Sequence, residues 1–379
     1  MSSDPPARMI CVASTSCCAP PLVPERWLVI NTGLAFRGVL VHPQLLMWFS
    51  SIVFAGLLAA AAAVPTPIEE SLLGRTAYAD VAFDLPAANL SAALVIPQGL
   101  SNTAGIVLLV HGTASTGNQT WGESPYNLLL PAKGYAIAWV NLPGNALGDA
   151  QTTAEYVAYN IKQLAPHSAT GQVAVIGHSQ GAGMTVQWAL LYWPSTRSLV
   201  SRYIALAGDF HGTDEGGLAC AAENLLRSGC QASVIQQTSG SNMLAAQNTR
   251  GNTALVPTTS IYTRYDEVIQ DEIIHPTSIL PGADNYALQQ LDVCGPLHLA
   301  DHFTMIVDPA AYGIALLALG AGSGTTPIDD FNLGYCTYFV DDELLNLSAV
   351  PALLLSAFDA ILKITTGGTV VKSEPLLRQ

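Results

Sequence analysis

The chain has 379 residues, 50% of them hydrophobic and only 11% charged. That is long enough for one large domain with its own core, and too apolar for a disordered or heavily solvated protein. The 14 Lys and Arg against 28 Asp and Glu give a net charge of -14 with no basic cluster, which argues against nucleic acid and anionic membrane surfaces as partners.

Residues 1–46 carry Cys11, Cys17 and Cys18, scattered prolines and no clear periodicity. They read as an unassigned extension upstream of a start at Met47. From Met47-Trp48-Phe49 an apolar run passes through Ile52, Phe54, Leu57 and Leu58 and ends in Ala59 to Ala63. Small residues at Ala61 and Ala63 fit a signal-peptidase site, so 47–63 is expected to be a signal peptide and 64–379 one catalytic domain. The rival is a membrane anchor, since Leu45 to Val64 is just long enough to span. The alanine-rich end, with no Lys or Arg after it, favours a secreted protein over one anchored at the cell surface.

Residues 65–104 form an opening segment with sparse periodicity. Ile106 to Val110 then reads as a strand buried on both faces. A helix is expected near Tyr126–Ala132, a strand at Tyr135 to Val140 and a helix at Thr152 to Leu164. Strands follow at Val173–Ile176, Tyr203–Ala207 and Thr258–Tyr262, with a helix from Gln180 to Trp193 that stops at Pro194. Gly212 to Gln237 looks like an insertion over the top of the sheet. Leu344 to Ile364, interrupted by Pro351, suits a core-packing helix pair or the wall of an apolar site. The alternation of strands and helices predicts the α/β class, a mostly parallel central sheet with helices on both faces.

The chemistry concentrates at Gly177-His178-Ser179-Gln180-Gly181, directly after a buried-type strand. This is the G-x-S-x-G nucleophile elbow, a sharp strand-to-helix turn that projects the serine oxygen above a sheet. A serine hydroxyl needs a histidine to take its proton and a carboxylate to hold that imidazole's tautomer, in the chain order Ser, Asp or Glu, His. After Ser179 the histidines are His211, His275, His298 and His302. His211 follows a strand closely and is expected to shape the pocket; His275 precedes a proline in a loop. His298 and His302 lie late in the chain, where the base belongs. Asp266 follows the Thr258–Tyr262 strand as a triad acid should, while Asp271, Asp284 and Asp292 are read as loop residues. The oxyanion hole is expected from the amide of Gln180 and from Thr113 in His111-Gly112-Thr113, where Gly112 lets the backbone approach the acyl oxygen. His111 is read as structural. No Walker loop, His-Glu-x-x-His or Cys-x-x-Cys is present, so neither a cofactor nor a metal is expected.

Without the leader, four cysteines remain, an even number in a secreted context. Of three possible pairings, Cys220–Cys230 with Cys294–Cys336 is favoured. Sequons at Asn89, Asn118 and Asn346 are compatible with a secretory route.

From Leu109 to about Cys336 the chain resembles the Candida lipase B family of α/β-hydrolases. The matching stretches include Val110-His111-Gly112-Thr113, Ser179-Gln180-Gly181, Asp209-Phe210-His211-Gly212-Thr213, Gln236-Gln237-Thr238, Asp266-Glu267-Val268, Val293-Cys294-Gly295-Pro296-Leu297 and Asp301-His302. The resemblance implies the α/β-hydrolase fold, with Ser179 as nucleophile, Asp266 as acid, His302 as base, and Thr113 and Gln180 as oxyanion hole. It further implies Asp209 and Gln237 as a hydrogen-bonded buried pair on the acyl side, and Cys294–Cys336 as a family disulfide. The best-known member has Trp where this chain has His178, which implies a reshaped alcohol-side pocket. Two other family disulfides lack partners here, with Ala138 at one half-site, and Cys220–Cys230 has no counterpart. The expectation is a secreted, monomeric serine lipase acting on a hydrophobic ester, including at a lipid–water interface. Its alternatives are a short-chain or polyester esterase, an acyltransferase of specialised metabolism, and a hydrolase-fold binding protein without catalysis.

Overall fold

Apolar runs with no polar break can be satisfied on both faces only inside a covered sheet. The computed structural model, which describes residues 79–337 and 349–378, meets that demand. The 1–46 extension, the signal peptide expected at 47–63, the first part of the expected 64–379 domain and the sequon at Asn346 lie outside the described residues.

In chain order come α1 (Ala87–Ala92), β1 (Leu94–Val95), β2 (Gly105–Val110), α2 (Gly117–Trp121), α3 (Pro125–Leu128), β3 (Tyr135–Val140), α4 (Ala150–Leu164), β4 (Val173–His178) and α5 (Gln187–Tyr192). There follow β5 (Val200–Leu206), α6 (Glu215–Arg227), β6 (Cys230–Gln231), α7 (Ala232–Gln237), α8 (Asn242–Gly251), β7 (Thr258–Tyr262), β8 (Asp284–Ala287), α9 (Pro309–Gly320), α10 (Ala349–Thr366) and β9 (Val370–Val371). The main sheet has seven strands in the order β1-β3-β2-β4-β5-β7-β8. Only β1 is antiparallel to its neighbour.

Side chains alternate between the two faces of each strand, and here both sets are buried. Leu108, Val110, Val175 and Ala205 face α4 and α5, packing with Ala154, Val157, Ile161 and Leu190. Leu109, Ile176, Ile204 and Leu206 face the other layer, with Trp121, Tyr126 and the α9 residues Ala311, Ile314 and Ala315. Each buried Val, Leu or Ile among them contributes about 1.5–3 kcal/mol. This is the α/β-hydrolase arrangement, a mostly parallel sheet between two helical layers, and it puts β4 at the centre of the sheet.

Several expected elements differ in detail. β5 starts at Val200 rather than Tyr203, because Arg202 interrupts the apolar pattern although it is buried, with its guanidinium 3.6 Å from Asp284. Asp284, read as a loop residue, opens the edge strand β8. The expected helix from Gln180 begins as a π-helix over Gly181–Val186 before α5 takes over. Small residues there let the wider turn press onto neighbouring backbone. The insertion 212–237 forms α6, β6 and α7, with β6 pairing antiparallel to β9. In place of a helix pair, the described part of 344–364 is a single helix, α10, with Pro351 in its first turn, where a missing N–H breaks no helical bond. Both expected disulfides, Cys220–Cys230 and Cys294–Cys336, are formed.

Candidate active site

β4 ends at His178, and Ser179 follows with φ of 57°, a left-handed conformation that costs a non-glycine residue about 1–3 kcal/mol. The turn is held on both sides. The Ser179 N–H donates to Leu206 O on β5 at 3.0 Å, and the Ser179 carbonyl accepts from Ala182 and Gly183 at 2.8 and 3.0 Å. Gly181 is required for close approach, since a Cβ there would stand 2.4 Å from His111 O. Ser179 therefore sits at the carboxyl end of the central strand, where a nucleophile elbow belongs.

Asp266 pairs with His302, which lines the same cavity as Ser179. Asp266 Oδ1 accepts the backbone N–H groups of Val268 and Ile269 at 2.9 and 2.6 Å, which fixes the carboxylate. Its Oδ2 lies 2.9 Å from His302 Nδ1, and both side chains are buried. The Nδ1 proton thus goes to Asp266, leaving Nε2 as the nitrogen able to accept. Burial opposes an imidazolium at His302, but the Asp266 charge and hydrogen bond, with Glu267 and Asp301, outweigh it and raise the pKa to about 9. Glu267 Oε2 accepts the backbone N–H of His302 at 3.1 Å. Burial, then Asp301 and Asp266, push the Glu267 carboxyl up to about 7.

The other histidines are elsewhere. His298 pairs with Asp308 at 2.9 Å, and Asp308 caps α9 through the Ala311 N–H, so this second buried pair ties a loop to a helix. His275 is 87% exposed. His211, expected to shape the pocket, instead bridges Thr277 O and Asn252 Oδ1 and is not among the cavity residues. His111 is structural as expected: its Nε2 accepts from Leu142 N–H, its Nδ1 donates to Gly112 O, and burial lowers its pKa to about 4.

A cavity of about 40 Å³ is lined by Gly112, Thr113, His178, Ser179, His302 and Phe303, with Ser115, Gln119, Thr120, Ile306 and Ala360 around them. Gly112 approaches so closely that a Cβ would lie 2.8 Å from Ser179 Cβ. The Thr113 hydroxyl is within donating distance of Gln180 Oε1 at 2.7 Å and Gln237 Oε1 at 3.0 Å. The Gln237 amide donates to Ser233 O and more weakly to Gln180 Oε1. Asp209 and Gln237 are both buried, yet they are not the bonded pair that was expected. Thr113, Gln180 and Ser233 take up the Gln237 amide, and among the described residues neither carboxylate oxygen of Asp209 has a hydrogen-bond partner. Burial raises the Asp209 carboxyl to about 7. His178 lines this cavity and also reaches the His302 carbonyl. The contributions of Glu267, Phe303, Ile306 and Ala360 had no sequence signal beyond their nearness to Asp266, to His302 and to the apolar tail.

A family model described as alpha/beta hydrolase fold matches residues 105–218. Lipase B of Pseudozyma antarctica is 33% identical over 313 residues, covering 80% of this chain and 86% of that one. The crystal structure of Aspergillus fumigatus lipase B superposes with a TM-score of 0.69 at 27% identity, covering 83% of this chain and 76% of that one.

Proposed function

Because the chain belongs to the lipase B family of α/β-hydrolases and is a carboxylic ester hydrolase, we propose that Ser179, His302 and Asp266 are its nucleophile, base and acid. The observation that carries this reading is the buried His302–Asp266 contact of 2.9 Å at a cavity shared with a strained elbow serine. Ser179 attacks the ester carbonyl while His302 Nε2 takes its proton, and Asp266 stabilises the imidazolium through Nδ1. The oxyanion is received by the Gln180 and Thr113 amides. His302 then protonates the departing alcohol. Water, activated by the same imidazole, cleaves the acyl-enzyme and restores Ser179.

For substrate we propose a hydrophobic ester of the lipid type, by analogy with the lipase B relatives. A second reading, a short-chain esterase, is favoured by the cavity volume of about 40 Å³. Hydrolysis of tributyrin and triolein across the solubility limit, with wild type and Ser179→Ala, separates them. Activity on the triolein emulsion that vanishes in Ser179→Ala supports the lipase; activity confined to soluble tributyrin supports the esterase. No activity in either protein points to a binding module or a dedicated acyltransferase.

We propose that the protein works as a monomer. We propose secretion on the strength of the 47–63 segment. Among the described residues no helix is long and apolar enough to cross a membrane. Activity in the culture medium supports secretion; activity that stays with the cells supports a surface anchor.

A further inference from the structure

His302 lies in a loop, between β8 and a 3-10 turn at Thr304–Ile306, so no ladder of strand or helix bonds fixes its main chain. A catalytic imidazole nevertheless has to stand within hydrogen-bond reach of the nucleophile, and a misplacement of about 1 Å can cost about 100-fold in rate. Two side chains supply the missing hold. The His302 N–H donates to Glu267 Oε2 at 3.1 Å. On the opposite side of the same residue, the His302 carbonyl accepts from His178 Nε2 at 2.9 Å. A carbonyl oxygen can only accept, so His178 must carry its proton on Nε2.

The two anchors differ in origin. Glu267 is the residue after Asp266, so the segment that binds the His302 ring through Nδ1 also binds its amide. His178 is the last residue of β4 and the residue before Ser179. The strand that carries the nucleophile thus also grips the main chain of the base, and the Ser179–His302 spacing is set across one peptide step. The two imidazoles are also in contact, with ring centroids 4.8 Å apart and planes inclined at 49°. Burial, and then the charge of His302, lower the His178 pKa to about 3, so His178 stays neutral and does not compete for the proton that His302 handles.

We propose that His178 and Glu267 are positioning residues that clamp the His302 main chain from its two sides, a role that rests on His302 being the base. His178 is then more than a wall of the alcohol-side pocket. A wall would change how alcohol groups bind, whereas a clamp changes the rate at which Ser179 is activated against any electrophile.

The test compares His178→Phe and Glu267→Ala, which delete the anchors, with His178→Gln and Glu267→Gln, which keep a donor or an acceptor at similar reach. Two readouts are taken: kcat and KM on p-nitrophenyl butyrate, and the labelling rate by an alkylsulfonyl fluoride, which carries a single alkyl group and a fluoride leaving group and so brings no alkoxy group to an alcohol pocket. Rates are referred to the folded fraction from thermal melts. The deletions should lower both kcat and labelling by about 10- to 100-fold with KM little changed, and the Gln variants should recover most of the loss. Labelling of His178→Phe at the wild-type rate, a change confined to KM, or no recovery with Gln overturns the clamp. Should the deletion variants not fold, histidine ¹⁵N NMR of the wild type decides. A neutral His178 protonated at Nε2 from pH 6 to 9 upholds the hold on His302, and an Nδ1-protonated ring overturns it. The functional reading fails separately, by wild type that does not react or by Ser179→Ala that still does.

Discussion

Replacing Asp209 with Asn should change how stability depends on pH more than it changes activity at any one pH. Asp209 is 0% exposed, and among the described residues neither of its carboxylate oxygens has a hydrogen-bond partner. Burial raises its pKa from 3.8 to about 7. A carboxyl whose folded pKa exceeds its unfolded value contributes stability that is complete below the unfolded value and is lost as pH rises through the folded one. At pH 5 the unfolded chain has released this proton while the fold still holds it, and by pH 8 both have released it. The whole difference corresponds to about 4 kcal/mol, of which about 2–3 kcal/mol develops between pH 5 and pH 8. Asp209→Asn has no proton to lose. Urea unfolding of both proteins at pH 5 and pH 8 measures the effect, and the raised carboxyls of Glu267 and Glu272 cancel because both proteins carry them. The variant should gain about 2–3 kcal/mol on wild type over that interval. Parallel pH profiles would refute the reasoning, since Asp209 would then ionise in the fold as easily as in the unfolded chain.

Because His302 must be neutral to accept a proton and its pKa is raised to about 9, kcat/KM should climb through the weakly alkaline range; a profile flat from pH 6 to pH 9 contradicts this. A Cβ at Gly112 would lie 2.8 Å from Ser179 Cβ and 3.0 Å from His178 O. Gly112→Ala should therefore lose roughly 100-fold or more in kcat while keeping a cooperative melt, and near-normal turnover would show that the turn yields freely. The disulfides close loops with sequence separations of 10 and 42, which by loop entropy are worth roughly 3 and 4 kcal/mol. Replacing Cys294 and Cys336 together by Ser should lower the urea midpoint more than replacing Cys220 and Cys230, and the reverse order counts against the entropic argument.

How far the sequence predicts this structure depends on whether a feature is local. The elbow is legible because steric demand at Ser179 and Gly181 leaves a fixed residue pattern. The buried strands are legible because two covered faces require unbroken apolar runs. β8 is hidden because an edge strand opening with Asp284 and Asn285 has loop composition, and the start of β5 is hidden by Arg202, a charge that is buried beside Asp284. Asp266 and His302 stand 36 residues apart, so spacing alone left them among several acids and histidines, and only the family resemblance singled them out. Glu267 and His178 act through the main chain of a distant residue, an interaction that no periodicity records. That Gln237 bonds Thr113, Gln180 and Ser233 while Asp209 is left without a hydrogen-bond partner among the described residues likewise follows from how distant segments converge.

The central claim is that Ser179 is the activated nucleophile. Its most direct test is to react the wild type with an alkyl fluorophosphonate and locate the adduct by peptide mass spectrometry. The account predicts one stoichiometric adduct on Ser179, absent from Ser179→Ala and formed far more slowly in His302→Ala. An adduct on another residue, or none on a folded protein, would contradict it.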